Sequence, residues 1–131
     1  MERWLARYSG VAYALMRVVI GSLLACHGAQ KLFGALGGER VELGSLMGLG
    51  GVIEFFGGLL VAVGLFAGSA AFLCSGTMAV AYFMAHAPKG FWPIQNHGEL
   101  AVAYCFVFLY IATRGSGPGS IEALMGRRPI R

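Results

Sequence analysis

Four long apolar runs constrain this chain more than any other feature of its sequence. They cover residues 8–33, 48–66, 69–86 and 97–113. Because a helix rises about 1.5 Å per residue, about 20 apolar residues cross the roughly 30 Å of hydrocarbon in a membrane. Charged residues supply only 12% of the sequence, too few to coat a soluble domain of 131 residues. The sequence therefore predicts an all-α integral membrane protein, a bundle of four transmembrane helices.

The connections between the runs predict an antiparallel bundle in a single domain covering residues 1–131. A glycine-rich polar loop follows the first run, and a short break near Gly68 follows the second. A loop with two prolines and two aromatic residues follows the third, a composition typical of the membrane interface. After the fourth run, we expect residues 115–131 to form a short interfacial tail, with a helix capped by Ser120.

Glycine is frequent, with 21 residues. In lipid, small residues let helices approach closely where no hydrophobic effect drives their association. Gly21 and Gly28 lie on nearly one face of the first run, and Gly57, Gly58 and Gly64 lie on the second. We interpret these glycines as helix-packing positions.

The basic residues indicate an orientation, because four spans place both termini on one side. Six basic residues share the side of the termini, namely Arg3, Arg7, Arg114, Arg127, Arg128 and Arg131. Three lie on the opposite side, namely Lys31, Arg40 and Lys89. The positive-inside rule then predicts cytoplasmic termini, in a bacterial-type cytoplasmic (inner) membrane.

Seven ionisable residues lie inside the runs or at their ends, where charged side chains are costly and are functional candidates by default. His27, Glu54 and Glu99 are the candidate catalytic residues, and the candidate ligand-binding residues are Arg17, Lys31, His86 and His97. All except Arg17 collect near the predicted outer face, with His27 and Glu54 each about 9 Å deep by the helical rise. We predict a polar pocket open to the outer leaflet, in which Lys31 offsets Glu54 and Glu99. Structural roles stay open, since boundary residues can simply be hydrated and Glu54 can form a structural ion pair.

Arg17 differs because it lies about ten residues from the predicted cytoplasmic end, roughly 15 Å from His27 along the axis. At its level the expected polar partners are Tyr13, Ser75, Thr77 and Tyr110. Its guanidinium could instead reach lipid phosphates or hold an anionic or carbonyl-bearing ligand.

No cofactor motif is recognisable. Cys26, Cys74 and Cys105 stand singly on separate runs, without the Cys-x-x-Cys pair of thiol oxidoreductases. The histidines differ in depth, which argues against bis-histidine haem ligation, and no metal-ligand spacing is diagnostic. We therefore predict no haem, flavin or metal site. Because the basic residues lie mostly near the termini and form no aromatic-interleaved patch, nucleic acid is not an expected partner.

Several short motifs run in order along nearly the whole chain. They are Arg17-x-x-x-Gly21, His27-Gly28-Ala29-Gln30-Lys31-Leu32-Phe33-Gly34, Gly50-Gly51-x-x-Glu54-x-x-Gly57-Gly58, His86, Asn96-x-Gly98-Glu99 and Gly117-Pro118-Gly119-Ser120-Ile121-Glu122. As a set they resemble the DoxX family of small four-helix membrane proteins. The resemblance implies membrane redox work, as in the quinone-linked thiosulfate oxidoreductase subunit and in membrane partners of soluble sulfur-transfer and superoxide-detoxifying enzymes. Glu122 stands where the tail of the family often has aspartate.

Three functions compete. The first is a membrane subunit of a quinone-linked oxidoreductase system, whose outer-side pocket binds a quinone headgroup and passes protons while a protein partner, a redox enzyme or membrane complex, supplies electrons. A histidine beside a carboxylate suits this role because imidazole exchanges protons near neutral pH. The second is a noncatalytic accessory or anchor subunit of a larger redox complex. The third is a small proton-coupled transporter that uses Glu54.

Overall fold

A computed structural model describes residues 1–128, and this part of the chain is all-α, with no strand. Residues 129–131, which include Arg131 and the end of the predicted tail, lie outside the described range. In chain order the helices are α1 (Glu2–Ala6), α2 (Ser9–Phe33), α3 (Leu46–Val63), α4 (Ala67–Lys89), α5 (Pro93–Asn96), α6 (Glu99–Arg114) and α7 (Ile121–Leu124).

Three of these helices are long and apolar enough to cross a membrane. They are α2 with 25 residues, α3 with 18 and α4 with 23. Helix α6 has 16 residues and is also largely apolar. The predicted all-α class is thus confirmed, together with three candidate spans.

The helix boundaries differ from the predicted runs where the backbone takes a left-handed conformation. Helix α3 ends at Val63, three residues before the predicted end, because Gly64 (φ +73°) and Phe66 (φ +48°) turn the chain. Helix α4 starts at Ala67 and continues past His86 to Lys89. His97 (φ +61°) follows the short helix α5 and precedes α6, which begins at Glu99. The sequence did not predict α1 or α5.

Each long helix packs against the next one in the chain. The most extensive contact joins α2 to α3, α3 also contacts α4, and α4 contacts α6 extensively, whereas α2 and α6 make few direct contacts. All four contribute to a buried core that includes Leu24, Val61, Cys74 and Phe108. Helices α2 and α6 meet through side chains, as in the edge-to-face contact of Tyr13 with Tyr110.

Glycines allow α2 and α3 to approach backbone to backbone. A Cβ atom on Gly21 would lie 2.7 Å from the carbonyl oxygen of Gly58, and one on Gly58 would lie 2.6 Å from that of Gly21. A Cβ atom on Gly28 would collide with the backbone of Phe55. Gly57 has the same role toward α4, where its Cβ would meet Cys74 Sγ at 2.6 Å. The prediction of packing glycines is confirmed at these four positions.

The bundle has two chemically distinct ends. We call the end that carries residues 34–45 and 90–98 the histidine end, and the end that carries residues 1–8, 64–66 and 115–128 the arginine end. At the arginine end, the Ser120 hydroxyl accepts a hydrogen bond from the Ala123 amide at 3.1 Å, which confirms the predicted cap of α7.

Candidate functional site

Two π-helical segments carry the central side chains of the histidine end. Glu54 lies in the segment Ile53–Gly57 of α3, and His86 is the last residue of the segment Tyr82–His86 of α4. A π-turn places one extra residue in the helix and shifts the side chains that follow, and such turns are frequent at functional sites. Glu54 and His86 thus each belong to such a turn.

Glu54 forms a partly buried ion pair with Lys31. The Lys31 Nζ atom lies 2.7 Å from Glu54 Oε1, and Glu54 is 2% exposed. Gly51 makes room for the lysine, since a Cβ atom there would lie 3.0 Å from Lys31 Cβ. Glu54 Oε2 is buried and has no hydrogen-bond partner among the described residues. The site thus keeps a buried acceptor for a further donor.

Asn96 organises the loop that faces His86. Its side-chain amide is fully buried, donates to the carbonyl oxygen of Gly90 at 2.9 Å and to the Tyr82 hydroxyl at 3.2 Å, and accepts from the Gly98 amide at 2.8 Å. The backbone carbonyl oxygen of Asn96 lies 3.1 Å from His86 Nδ1. Because a carbonyl only accepts, this contact places a hydrogen on Nδ1 and leaves Nε2 of a neutral His86 as an acceptor.

Lys31, Glu54 and His86 line a cavity of about 230 Å³ to which all four long helices contribute. Its lining residues are Leu24, His27, Lys31, Glu54, Met78, Ala81, His86, His97, Leu100, Ala101 and Tyr104. The rings of His27 on α2 and Tyr104 on α6 face each other edge to face, with centroids 6.3 Å apart. His27 and His97 are exposed, whereas Tyr104 is buried. Five of the seven ionisable candidates therefore meet in one cavity.

A second, larger cavity lies on the other side of the ion pair. It has a volume of about 450 Å³, lies between α3 and α4, and has mostly apolar walls, including Met47, Ile53 and Val80. Lys31, Glu54, Ala81 and His86 line both cavities. The ion pair is therefore part of the wall between the two cavities. We call the cavity of about 230 Å³ the polar cavity and the one of about 450 Å³ the apolar cavity.

The structure does not bring Glu99 to the polar cavity. Glu99 is exposed in the first turn of α6 and is absent from the lining, although its near neighbours His97 and Leu100 belong to it. The predicted offset of Glu54 by Lys31 is present, but no ion pair joins Lys31 to Glu99 in the described range.

Arg17 lies at the arginine end and has backbone partners. It is fully buried, and its Nη1 atom donates to the carbonyl oxygens of Val61 and Ala62, both at 2.8 Å. Its Nη2 atom donates to the carbonyl oxygen of Gly119 at 2.9 Å. These acceptors belong to the last turn of α3, where the Val61 carbonyl also accepts from the Gly64 amide, and to the segment before α7. Arg17 therefore joins two parts of the chain.

The four side chains expected near Arg17 do not hydrogen-bond to it within residues 1–128. Three of them bond elsewhere: the Tyr13 hydroxyl donates to the Gly115 carbonyl oxygen, the Ser75 hydroxyl to that of Cys105, and the Thr77 hydroxyl to that of Leu73. The carbonyl oxygens at the end of α3 and before α7 lie within hydrogen-bond distance of the guanidinium and occupy its terminal nitrogens instead.

Two functional candidates escaped sequence reasoning. Tyr104 sits among apolar residues of the fourth run without a nearby charge, so nothing in the sequence separated it from packing residues. Asn96 did have a signal, the spacing Asn96-x-Gly98-Glu99, but an asparagine in a loop is common in turns. Across the described residues, no group of three or more His, Cys, Asp or Glu side chains is placed to hold a metal ion.

The fold and the site define an all-α membrane protein with an ionisable cavity among its long helices. The family model of DoxX matches residues 12–87. The chain is also 37% identical over 125 residues to an uncharacterized protein of Haemophilus influenzae (strain ATCC 51907 / DSM 11121 / KW20 / Rd), an alignment that covers 90% of this chain and 93% of that protein. The chain belongs to the DoxX family. No solved structure matches it significantly.

Proposed function

We propose that this chain is the membrane subunit of a quinone-linked oxidoreductase system and that its polar cavity binds the quinone headgroup. The observation that carries the proposal is the convergence of Lys31, Glu54, His27 and His86 in one cavity of about 230 Å³. Pockets for drug-sized ligands measure about 300 to 1,000 Å³, so this cavity suits a single substituted ring. Tyr104 and the apolar lining offer flat and hydrophobic surface to such a ring.

The proposal includes a four-span, antiparallel topology with cytoplasmic termini in the bacterial inner membrane. At about 1.5 Å per residue, the 16 residues of α6 extend about 24 Å, and the extensive contact of α6 with α4 supports a fourth span. The histidine end then faces the outer leaflet. Arg3, Arg7 and Arg127 at the arginine end agree with a cytoplasmic location.

Within the cavity, each ionisable residue has a proposed role. Lys31 donates to one oxygen of the ring, Glu54 accepts from the hydroxyl that reduction forms there, and His27 or His86 exchanges a proton with the other oxygen, since quinone reduction consumes two protons. His97 lines the exposed side, and Glu99 stands next to that side as a proton-exchange group. We assign Arg17 no part in ligand binding, because backbone carbonyls occupy its donors.

Electrons must come from a partner in this proposal, because the sequence holds no cofactor motif. The partner is a redox enzyme or a membrane complex. The chain then contributes the quinone site and the membrane anchor, and the partner contributes the reductant.

Quinone content of the purified protein tests the proposal. The protein is extracted from native membranes in mild detergent, and its organic extract is analysed by mass spectrometry. We expect about one quinone per chain in the native protein and in Glu39→Gln, which changes an exposed glutamate outside the cavity. The double variant Glu54→Gln, His27→Ala should lose the quinone while its elution volume stays the same. An unchanged quinone content would reject the site.

A noncatalytic anchor subunit is the second candidate. The apolar cavity of about 450 Å³ between α3 and α4 favours it, because a helix of a partner could fill that space. This function predicts a protein partner that copurifies even when quinone is absent. A chain that elutes alone in mild detergent would argue against it.

A further inference from the structure

The polar cavity offers a ligand an unusual balance of donors and acceptors. Glu54 Oε2 is a buried, unpartnered acceptor, and the contact between His86 Nδ1 and the Asn96 carbonyl leaves His86 Nε2 as a second acceptor. Lys31 Nζ is a donor that already binds Glu54 Oε1 at 2.7 Å and retains two hydrogens. A ligand that matches this balance must bring hydrogen-bond donors of its own.

The two redox forms of a quinone differ in this respect. The oxidised form has two carbonyl oxygens, which only accept, and one of them beside Lys31 would approach the unpaired Glu54 Oε2 without a hydrogen between them. The reduced form, the quinol, has two hydroxyl groups. One hydroxyl can donate to Glu54 Oε2 while its oxygen accepts from Lys31, and the second can donate to His86 Nε2.

Building on the proposed function, we propose that the polar cavity is a quinol site, which binds the dihydroxy form in preference to the quinone. The unpartnered Glu54 Oε2 carries this proposal. A hydrogen bond to a buried carboxylate is among the strong ones, and an unfilled acceptor in an apolar setting is costly. The quinol fills it and the quinone does not.

Equilibrium binding to the purified full-length protein in detergent tests the preference, under anaerobic conditions. The probes are a decyl-substituted benzoquinol, the corresponding quinone and the di-O-methyl ether of the quinol. The ether keeps the ring but cannot donate a hydrogen bond. We expect the quinol to bind about tenfold more tightly than either other probe, a difference of about 1.4 kcal/mol. Equal affinities, or tighter binding of the quinone, would overturn the quinol preference but leave the quinone-site function standing. If none of the probes binds, both proposals fail.

Glu54→Gln tests which atom sets the preference. The glutamine carbonyl can still accept from Lys31, so its amide nitrogen replaces Oε2 and turns an acceptor into a donor. We expect the tenfold preference to disappear because quinone binding is kept while quinol binding weakens, and retained quinone binding also shows that the variant is folded. Glu39→Gln should keep the preference. A Glu54→Gln protein that still prefers the quinol would contradict the assignment, and if the variant does not fold, the three probes on the native protein decide.

Discussion

Arg17 and Glu54 are two buried charges in one small bundle, and their surroundings differ. Arg17 is fully buried and Glu54 is 2% exposed. Arg17 uses both terminal nitrogens on backbone carbonyls, whereas Glu54 uses one oxygen on Lys31. Each retains one unpartnered atom within the described range, Arg17 Nε and Glu54 Oε2. The unpartnered Arg17 Nε carries one of the five N–H donors of the guanidinium. The unpartnered Glu54 Oε2 is one of only two carboxylate oxygens, and Glu54 lines two cavities.

The difference underlies our proposal that Arg17 has a structural role and Glu54 a functional one. Burial alone does not distinguish them, because both side chains are inside the protein. The surroundings do: Arg17 joins the end of α3 to the segment before α7, while Glu54 is a lining residue of two cavities. A charge whose partners are backbone groups stabilises the fold, and a charge with an open acceptor is available to a ligand.

The largest effect on stability should come from Arg17. Arg17→Met keeps most of the volume but leaves the carbonyls of Val61, Ala62 and Gly119 without these donors, so we expect the free energy of unfolding to fall by about 3 kcal/mol. Thermal unfolding in detergent micelles measures it. Arg40→Met, at an exposed loop position, should change stability little. If Arg17→Met has the same free energy of unfolding as the native protein, our assignment of a structural role to Arg17 is wrong.

Gly64 sharpens the comparison because it touches the partners of Arg17. Its φ of +73° is costly for an L-residue, and a Cβ atom there would lie 2.6 Å from Arg17 Nη1 and would collide with Ser120. We expect Gly64→Ala to lower the free energy of unfolding by about 2 kcal/mol.

Gly37→Ala is the matched control for Gly64→Ala. Gly37 has nearly the same φ, +76°, but has open space around it. Gly37→Ala should therefore lower the free energy of unfolding only by the cost of the left-handed backbone, about 1 kcal/mol. Equal losses in the two variants would mean that the contact with Arg17 contributes nothing.

Much of the fold could be predicted because lipid restricts the choices. Apolar runs of about 20 residues leave little besides helices, so the all-α class and the packing role of glycines such as Gly21 and Gly58 followed from the sequence, although the pairing of these two glycines did not. The ends of the helices were less predictable, since they fall at Phe66 and His97, which take a left-handed conformation that residues other than glycine adopt uncommonly.

The site was predictable only in part. The depth of His27, Lys31 and Glu54 along their helices indicated a shared level, and the structure places them around one cavity. Helical depth does not give the direction of a side chain at a helix start, which is why Glu99 was expected in the cavity. The partners of Arg17 depend on the segment before α7, whose return to the end of α3 cannot be read from a local pattern.

The smallest effect on stability should come from substitution of Glu54, in contrast to substitution of Arg17. Glu54→Gln preserves the shape of the side chain and an acceptor for Lys31, whose side chain is 27% exposed and can be hydrated when its counter-charge is removed. One oxygen of Glu54 already lacks a partner, so little is lost there. We expect the free energy of unfolding to fall by about 1 kcal/mol or less, while ligand binding changes much more. Unfolding of Glu54→Gln and Arg17→Met, measured in the same detergent without added ligand, checks the ranking. If Glu54→Gln is as unstable as Arg17→Met, then Glu54 is a structural charge like Arg17 and the distinction between the two ends fails.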